Sequence, residues 1–559
     1  METIITRKVK ESLIELLAEA ANSAQTGGQL TFEVLPQIML EVPKDKSHGN
    51  FSSNLALILA KSVRKSPRET AQIIISHLTT NPYVERTEVA GPGFINFHLN
   101  RNWLTETVDS ILKQDGKYGQ NHDLANEFIQ LEFVSANPVG PMNVVNARAA
   151  ALGDTLGRLF DACGARVERE YYVNDFGVQV ETLGKSVEAR YRERLGESVV
   201  FPEDGYQGEY IFDIAQQLID TNGSEYLKLS EPERITTFKY FAYQQILKSQ
   251  KTDLTNYGVN YDCWFSERSL HHSGAVDEVL NILEAKGLTY LQDDAIWLRT
   301  TDFGDDKDRV LRTADGRTTY FTADIAYHLN KFNRGYNLVI DIWGPDHHGY
   351  IPRMKAAMYA LGRQPENFEV LIAQQINLIK DGQPFKMSKR RGNFITMTEL
   401  LEEVGNDVAR WFFLMRSPES HLDFDLDLAK SQSSDNPVYY VQYAHARICS
   451  VFSQADPSLG VLGQSEEWLQ YWDAEEENLI EKAAHFPEVI IEAAKQREPH
   501  RLTGYLLDLA GMFHSYYNRR RFITEEPGLT RSRLAVAKAL GYVFHHGLNL
   551  LGVSVPERM

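Results

Sequence analysis

Apolar residues Val9, Leu13, Leu16 and Leu17 recur at helical spacing in RKVKESLIELLAEAA, so an amphipathic helix is expected near the start of the chain. A second helix, NLALILAKSVRK, follows the polar turn KSHGN, and VERTEVAGPGFINFHLN alternates as strand, Gly-Pro-Gly turn and strand. These features predict a separate α+β module over residues 1–120, with a boundary in the polar, Gly- and Asn-rich stretch 114–126. Next, FIQLEFV (128–134) has the pattern of a strand and SANPVGP (135–141) that of an irregular turn. NVVNARAAALGDTLGRLFDAC then has Leu152, Leu156, Leu159 and Phe160 on one helical face, with Gly164 placed as its C-terminal cap. RVEREYYV follows as a strand, and a right-handed βαβ crossover implies a parallel sheet.

Residues 180–290 are mostly helical and acidic in pattern and form an apparent insertion. Sheet-like runs resume at AIWLRT, RVLRT, TTYFT, NLVIDIW and FEVLIAQQINLI. The pattern predicts an open α/β nucleotide-binding domain over 121–425, interrupted by that insertion. From 426 to 559 long helical patterns dominate, among them NPVYYVQYAHARICSVFSQA, LIEKAAHFPEVIIEAAKQ and LAVAKALGYVFHHGLNLLGV. A C-terminal helical bundle is expected.

Composition narrows the function classes. The 559 residues are 43% hydrophobic and 24% charged, ordinary for a globular protein, and the net charge of −18 argues against a general nucleic-acid coat. A nucleic-acid partner must therefore meet local basic patches. Cys163, Cys263 and Cys449 have neither metal-ligand spacing nor a disulfide framework, which fits a reducing cytoplasm. No run approaches the roughly 18 apolar residues of a membrane span, so a soluble, intracellular protein is expected.

The most specific chemical signal is KDGQPFKMSKRRGNFIT (380–396). After an expected strand, Asp381-Gly382 makes a turn, and Lys386, Lys389, Arg390 and Arg391 crowd around Ser388. Such a basic loop suits the charge of a departing pyrophosphate; the plainer alternative is a solvated basic loop. A partner motif belongs at the first strand-to-helix turn, where helix amides favour phosphate. That turn is Asn143-Val144-Val145-Asn146, in which Asn143 also suits a helix cap.

The complete Lys-Met-Ser-Lys string resembles the signature loop of class I aminoacyl-tRNA synthetases. In that class the first turn normally reads His-Ile-Gly-His or close to it, so Asn143 and Asn146 stand at histidine positions and Val145 at the glycine. Asparagine amides still offer N–H donors, without an imidazolium charge. The stretches LEFVSANPVGPMNVVNARAAALGDTLGRL, REYYVNDFG, TTYFTADIAYH, DIWGPDHHGYIPRMKAA, NPVYYVQYAHARI and LLGVSVPERM are similar to bacterial arginyl-tRNA synthetases, and the resemblance spans essentially the entire chain. It implies a class I Rossmann-like catalytic domain, an N-terminal module at the tRNA elbow and an all-helical anticodon-binding bundle.

The resemblance assigns Lys386, Ser388, Lys389, Asn143 and Asn146 to catalysis, and Glu132, Asn137, Tyr320 and Asp324 to arginine. A guanidinium needs acceptors in a fixed fork, which acids supply, and Tyr320 and Asp324 face the same way if helical. The ATP set is Pro138, Gly140, Asn143, Asn146, His347, His348 and Met387. A zinc reading of His347 and His348 lacks a third ligand at recognisable spacing, so no metal site is expected. For tRNA, YYVQYAHAR (Tyr439, Tyr440, Tyr443, His445, Arg447) and FHSYYNRRRF (Tyr516, Tyr517, Arg519, Arg520, Arg521) interleave aromatic and basic residues, the second being favoured.

The expected activity is arginine-tRNA ligation by a monomer, with ATP and Mg2+ as substrate rather than a bound cofactor, and with arginine activation dependent on tRNA. Neither a membrane nor DNA is an expected partner. Two alternatives stay open: a tRNA-binding relative that lost catalysis through the altered turn, and a class I ligase for another amino acid.

Overall fold

The computed structural model describes residues 4–43, 45–385, 395–457 and 465–559. Helix Ile5–Thr26 buries Val9, Leu13, Leu16 and Leu17 and packs on helices Pro67–Ser76 and Asn102–Gln114, in a module whose four-stranded antiparallel sheet is ordered Leu40–Glu41, Phe51–Ser53, Phe94–Leu99, Val84–Ala90. The last two strands are joined at the Gly-Pro-Gly turn, where Gly91 and Gly93 have φ of 50° and 142°. A Cβ on Gly93 would lie 2.7 Å from Pro67, so the close approach there requires glycine.

The main sheet has five parallel strands: β1 (Phe128–Phe133), β2 (Arg166–Val173), β3 (Cys263–Ser266), β4 (Leu338–Trp343) and β5 (Phe368–Ile372). Their order is β5-β4-β1-β2-β3, which places a topological switch point between β1 and β4. β1 lies centrally, and Ile129, Leu131 and Phe133 are fully buried. Helix Val144–Ala162 forms the β1–β2 crossover and lies so close to β1 that a Cβ on Gly153 would sit 2.1 Å from the Phe133 ring.

The inserted helices Val178–Arg194, Glu209–Asn222 and Glu231–Asn256 share their own core around Leu183, Tyr191, Ile211 and Phe238. The excursion from the sheet ends earlier than the helical and acidic pattern of 180–290 suggests, because Cys-Trp-Phe-Ser at 263–266 is the edge strand β3. Four residues carry too little periodicity to declare a strand.

TTYFT also differs from its sheet-like reading. Thr319 stays extended, its hydroxyl donates to the Val310 carbonyl at 2.9 Å, and Tyr320 opens helix Tyr320–Asn333, which buries Phe321 and Ile325. Ile376–Lys380 leaves the main sheet and pairs with Gln383–Pro384 and Leu422–Asp425.

The C-terminal helices are Pro437–Gln454, Ala474–Ala484, Phe486–Lys495, His500–Arg519 and Pro527–Leu550. LIEKAAHFPEVIIEAAKQ divides at His485, because Pro487 suits a first turn and not a helix interior. Among the described residues, no helix is long and apolar enough to cross a membrane.

Candidate active site

A cleft of about 850 Å³ opens at the carboxyl ends of β1 and β4, at the switch point. Glu132, Asn137, Gly140, Asn143, Asn146, Asp324 and His347 line it, as does Val145. Pro138, Tyr320 and His348 are not among its lining residues. Lys386, Met387, Ser388 and Lys389, with Arg390, Arg391, Gly392 and Asn393, lie outside the described residues.

The wall after β1 is an irregular turn held by its carbonyls. Val134 and Ser135 have φ of 70° and 38°, a strained pair of non-glycine residues of the kind that gathers at functional sites. The Ser135 hydroxyl donates to Glu132 Oε1 at 2.8 Å and accepts from the Tyr172 N–H at 3.0 Å. The Tyr171 hydroxyl donates to the Ala136 carbonyl at 2.9 Å, and the Tyr210 hydroxyl to that of Val139 at 2.6 Å. Buried Gln250 donates to the carbonyls of Asn137 and Gly140 at 3.2 and 3.1 Å. Tyr210 and Gln250 belong to the insertion, whose Tyr206, Gln207 and Gly208 also line the cleft. No motif marks these residues in the sequence.

At the helix start the two asparagines form a reciprocal cap. Asn143 Oδ1 accepts from the N–H groups of Val145 and Asn146 at 2.9 and 3.0 Å, and Asn146 Oδ1 accepts from that of Asn143 at 2.9 Å. The cap uses the amide oxygens. The two NH₂ groups are the donors each side chain has left to offer a ligand, at the positive end of the helix dipole.

The cleft floor is acidic. The fully buried Lys331 ammonium donates to Glu132 Oε2 at 2.6 Å and to Asp341 Oδ1 at 2.7 Å. His328 lies between Asp341 Oδ2, 2.6 Å from Nε2, and the Asp324 carbonyl, 2.7 Å from Nδ1. Burial alone would raise the Asp341 carboxyl, but Lys331 and His328 together hold it below the usual carboxylate range.

Both Glu132 oxygens are thus engaged within the protein, one by Ser135 and one by Lys331. Asp324 differs. Its side chain accepts from the Tyr350 hydroxyl, and burial pushes its carboxyl up to about 6. Glu267, at the start of the helix after β3, is also buried. Burial, followed by repulsion from Asp324 and Asp175, pushes it up to about 8. The two acids lie near enough to repel each other in an environment that resists their charge, although only Asp324 lines the cleft. Glu267 has no counterpart among the motifs, because a lone Glu at a helix start is read as a dipole partner.

Tyr320 and Asp324 do share one helix, but Tyr320 is 65% exposed, while Asp324 lines the cleft. The ring projects from the first helical residue toward Gly177, where a Cβ would meet its hydroxyl at 3.2 Å. His347 and His348 occupy an exposed turn, Pro345–Tyr350, and the His347 ring packs edge-on to Trp343. Glu168, Glu170 and Cys263 approach one another closely enough to hold a metal ion, but Arg334 bonds Glu168 at 2.7 Å and Glu170 at 2.6 Å. Burial and the neighbouring Glu170 push the Cys263 thiol up to about 12, which disfavours a thiolate ligand.

In the bundle, Arg519 pairs with Glu475, and Arg520 with both Glu475 and Asp473, so only Arg521 of this run stands exposed without an ion pair among the described residues. Tyr516 is buried, with its hydroxyl on Glu476, and His445 is buried against the Pro556 carbonyl. Half-buried Tyr440 packs on His514, and Tyr439 is also half-buried. Arg447 lies over the rings of Tyr443 and Tyr517, at 4.5 and 4.7 Å, making the more accessible aromatic and basic cluster.

The chain matches the arginyl tRNA synthetase N terminal domain over residues 6–99, the catalytic domain of class I (R) tRNA synthetases over 107–413, and the DALR anticodon binding domain over 441–559. It is 47% identical over 555 residues to an arginine–tRNA ligase of Desulfitobacterium hafniense, covering 99% of each chain. It is 46% identical over 559 residues to that of Desulforamulus reducens, covering 99% of this chain and all of the relative. The Thermus thermophilus arginyl-tRNA synthetase structure shares the fold, with a TM-score of 0.75 at 22% identity, over 98% of this chain and all of that one. The chain, related to these proteins from end to end, belongs to the class I arginyl-tRNA synthetase family.

Proposed function

We propose that the cleft seats the arginine guanidinium on Asp324, with buried Glu267 adding negative charge from behind it, Glu132 and Asn137 at the β1 end, and the ATP phosphates on the Asn143 and Asn146 amides. The activity is the ATP-dependent joining of arginine to tRNA. The observation that carries this assignment of roles is the juxtaposition in one cleft of buried Asp324 and the capped helix start.

The arginine carboxylate attacks the α-phosphorus of ATP, and the bond to pyrophosphate breaks, with its electrons leaving on pyrophosphate. A hydroxyl of the terminal tRNA ribose then attacks the acyl carbon and AMP departs. Neither step needs a protein nucleophile. Positioning and charge stabilisation suffice, with Lys386, Ser388 and Lys389 acting on the phosphates during the first step. Mg2+ would accompany ATP and offset the charge of its phosphates. His347 contacts the nucleoside from the exposed rim, and Tyr443, Arg447 and Tyr517 serve tRNA together with Arg521. The protein acts as a cytoplasmic monomer whose arginine activation depends on bound tRNA, and its domains divide near residues 120 and 425.

The direct test is attachment of labelled arginine to total tRNA with ATP and Mg2+, beside lysine, glutamine, cysteine and citrulline. Arginine alone should be attached. Attachment of citrulline, the neutral isostere, at a comparable rate would remove the acidic floor from substrate selection.

A further inference from the structure

Between β1 and helix Val144–Ala162 the chain runs along the cleft, and of residues 134–141 all but Pro138 line it. Pro138 and Pro141 have no N–H, so this turn has few donors for its own carbonyls. The Val139 N–H donates to the Asn137 carbonyl at 2.8 Å. The turn is otherwise held from outside. The carbonyls of Ala136, Asn137, Val139 and Gly140 each accept from a side chain on another element, and for the last three that side chain is Gln250 or Tyr210 of the insertion.

Helix Glu231–Asn256 buries Phe238, Ala242, Ile246, Gln250 and Leu254 at intervals of four residues, which is a single stripe. Phe238, Ala242 and Ile246 belong to the core of the insertion and Leu254 to the main core, so Gln250 stands at their junction. An amide at such a position is costly unless its groups are bonded. Gln250 meets that condition at both ends. Nε2 donates to the carbonyls of Asn137 and Gly140 at 3.2 and 3.1 Å, and Oε1 lies 3.1 Å from the Tyr171 hydroxyl. Tyr210 enters from the first turn of helix Glu209–Asn222 and holds the Val139 carbonyl at 2.6 Å. It fits so closely between Gly208 and Gly140 that a Cβ on either would meet it at 2.3 or 3.1 Å.

We propose that Gln250 and Tyr210 are positioning residues which, from the insertion, fix the backbone of turn 136–140 and so set the separation of Asn137, at the arginine end of the cleft, from Asn143, at the phosphate end. This rests on the reading that those two asparagines contact the substrates. Asp324 belongs to another element, helix Tyr320–Asn333, and keeps its place when the turn loosens. Arginine and ATP are then still held, but carboxylate and α-phosphorus are misaligned, so turnover falls more than affinity.

The test uses the full chain in ATP–pyrophosphate exchange with tRNA present, at varied arginine and ATP, and urea unfolding shows which variants are folded. Tyr210→Phe keeps the ring and removes only the hydroxyl. Its kcat should fall about tenfold, the scale of one lost hydrogen bond, with both KM values within about threefold. Gln250→Met keeps the length of the side chain and suits the apolar stripe. It should lower kcat about 100-fold, the scale of a misplacement near 1 Å, again with both KM values within about threefold. A kcat within about threefold of the parent for either folded variant, or equal losses in kcat and both KM values, overturns the proposal.

If Gln250→Met does not fold, Tyr210→Phe decides alone. Where both fold, the double variant should lie within about threefold of Gln250→Met, because the two side chains hold one turn. A fully additive loss, about 1000-fold, means that they act on separate features and sinks the shared grip. Asn137→Ala separates the premise. Full exchange activity in that variant removes the Asn137 side chain from the reaction, whereas its loss beside unaffected Tyr210→Phe and Gln250→Met sinks the positioning role alone.

Discussion

At the scale of single residues, Asp324 sets the chemistry of the cleft, because it is the lining acid whose charge is opposed by burial and supported mainly by a hydroxyl. A charged hydrogen bond contributes about 1.5–3 kcal/mol, so Asp324→Asn should raise the arginine KM by roughly 10- to 150-fold and leave the ATP KM within about twofold. Steady-state exchange at varied arginine and ATP measures both, and equal increases would take Asp324 out of the arginine seat.

The same carboxyl predicts a pH dependence. Its pKa is raised to about 6, so it is neutral below that value, and a guanidinium binds the ionised form. Arginine affinity should therefore strengthen as pH rises through 6, with a second rise toward 8 from Glu267. Below pH 6 binding should release protons, which calorimetry in two buffers of unlike ionisation enthalpy detects. In Asp324→Asn the step near 6 should vanish. Glu267, Gln250 and Tyr210 escape a reading of the sequence because each is one polar residue on an amphipathic helix, and only neighbours from other segments give it a task.

At the scale of elements, the asparagine turn was legible in the sequence as a helix start, since Asn there announces a cap. The structure adds that capping uses the oxygens and leaves the NH₂ groups available. Asn143→Asp separates the two roles. Aspartate caps as well as asparagine, so thermal stability should stay within about 0.5 kcal/mol, while loss of the donor and a new charge beside phosphate should raise the ATP KM at least about tenfold. An unchanged ATP KM would confine Asn143 to capping. Helix Val144–Ala162 also depends on Gly153, where alanine would meet Phe133. Gly153→Ala should cost about 1–3 kcal/mol in denaturant unfolding, the usual cost of overpacking. TTYFT was misleading at this scale because a β-branched and aromatic run resembles a strand until its i, i+4 burial is known.

At the scale of the whole molecule, the modules are joined by buried and partly buried charge. Arg410 donates to Asp154 on the catalytic helix, and to the Leu551 carbonyl at 2.8 Å near the end of the bundle. Both side chains of the ion pair are buried. Arg410→Met leaves Asp154 without this partner and should lower unfolding free energy by about 3–5 kcal/mol, seen as an earlier urea midpoint for catalytic domain and bundle together. Loss confined to the bundle would show that the contact does not couple them. Asp123 likewise accepts from Arg7 at 2.9 Å and Lys495 at 2.8 Å, joining the N-terminal module, the linker and the bundle.

The order of modules, the βαβ unit at the first nucleotide turn and the paired signatures 143–146 and 386–389 were present in the chain as local patterns, because helix periodicity, caps and turns are properties of neighbouring residues. Tertiary structure decided how the charges are shared. Glu132 is spoken for by Lys331, Arg519 and Arg520 by Glu475 and Asp473, and Asp324 keeps a carboxyl facing the cleft. Those outcomes depend on burial and on partners up to 199 positions apart, as for Lys331 and Glu132, and electrostatic strength follows distance and dielectric environment rather than order along the chain.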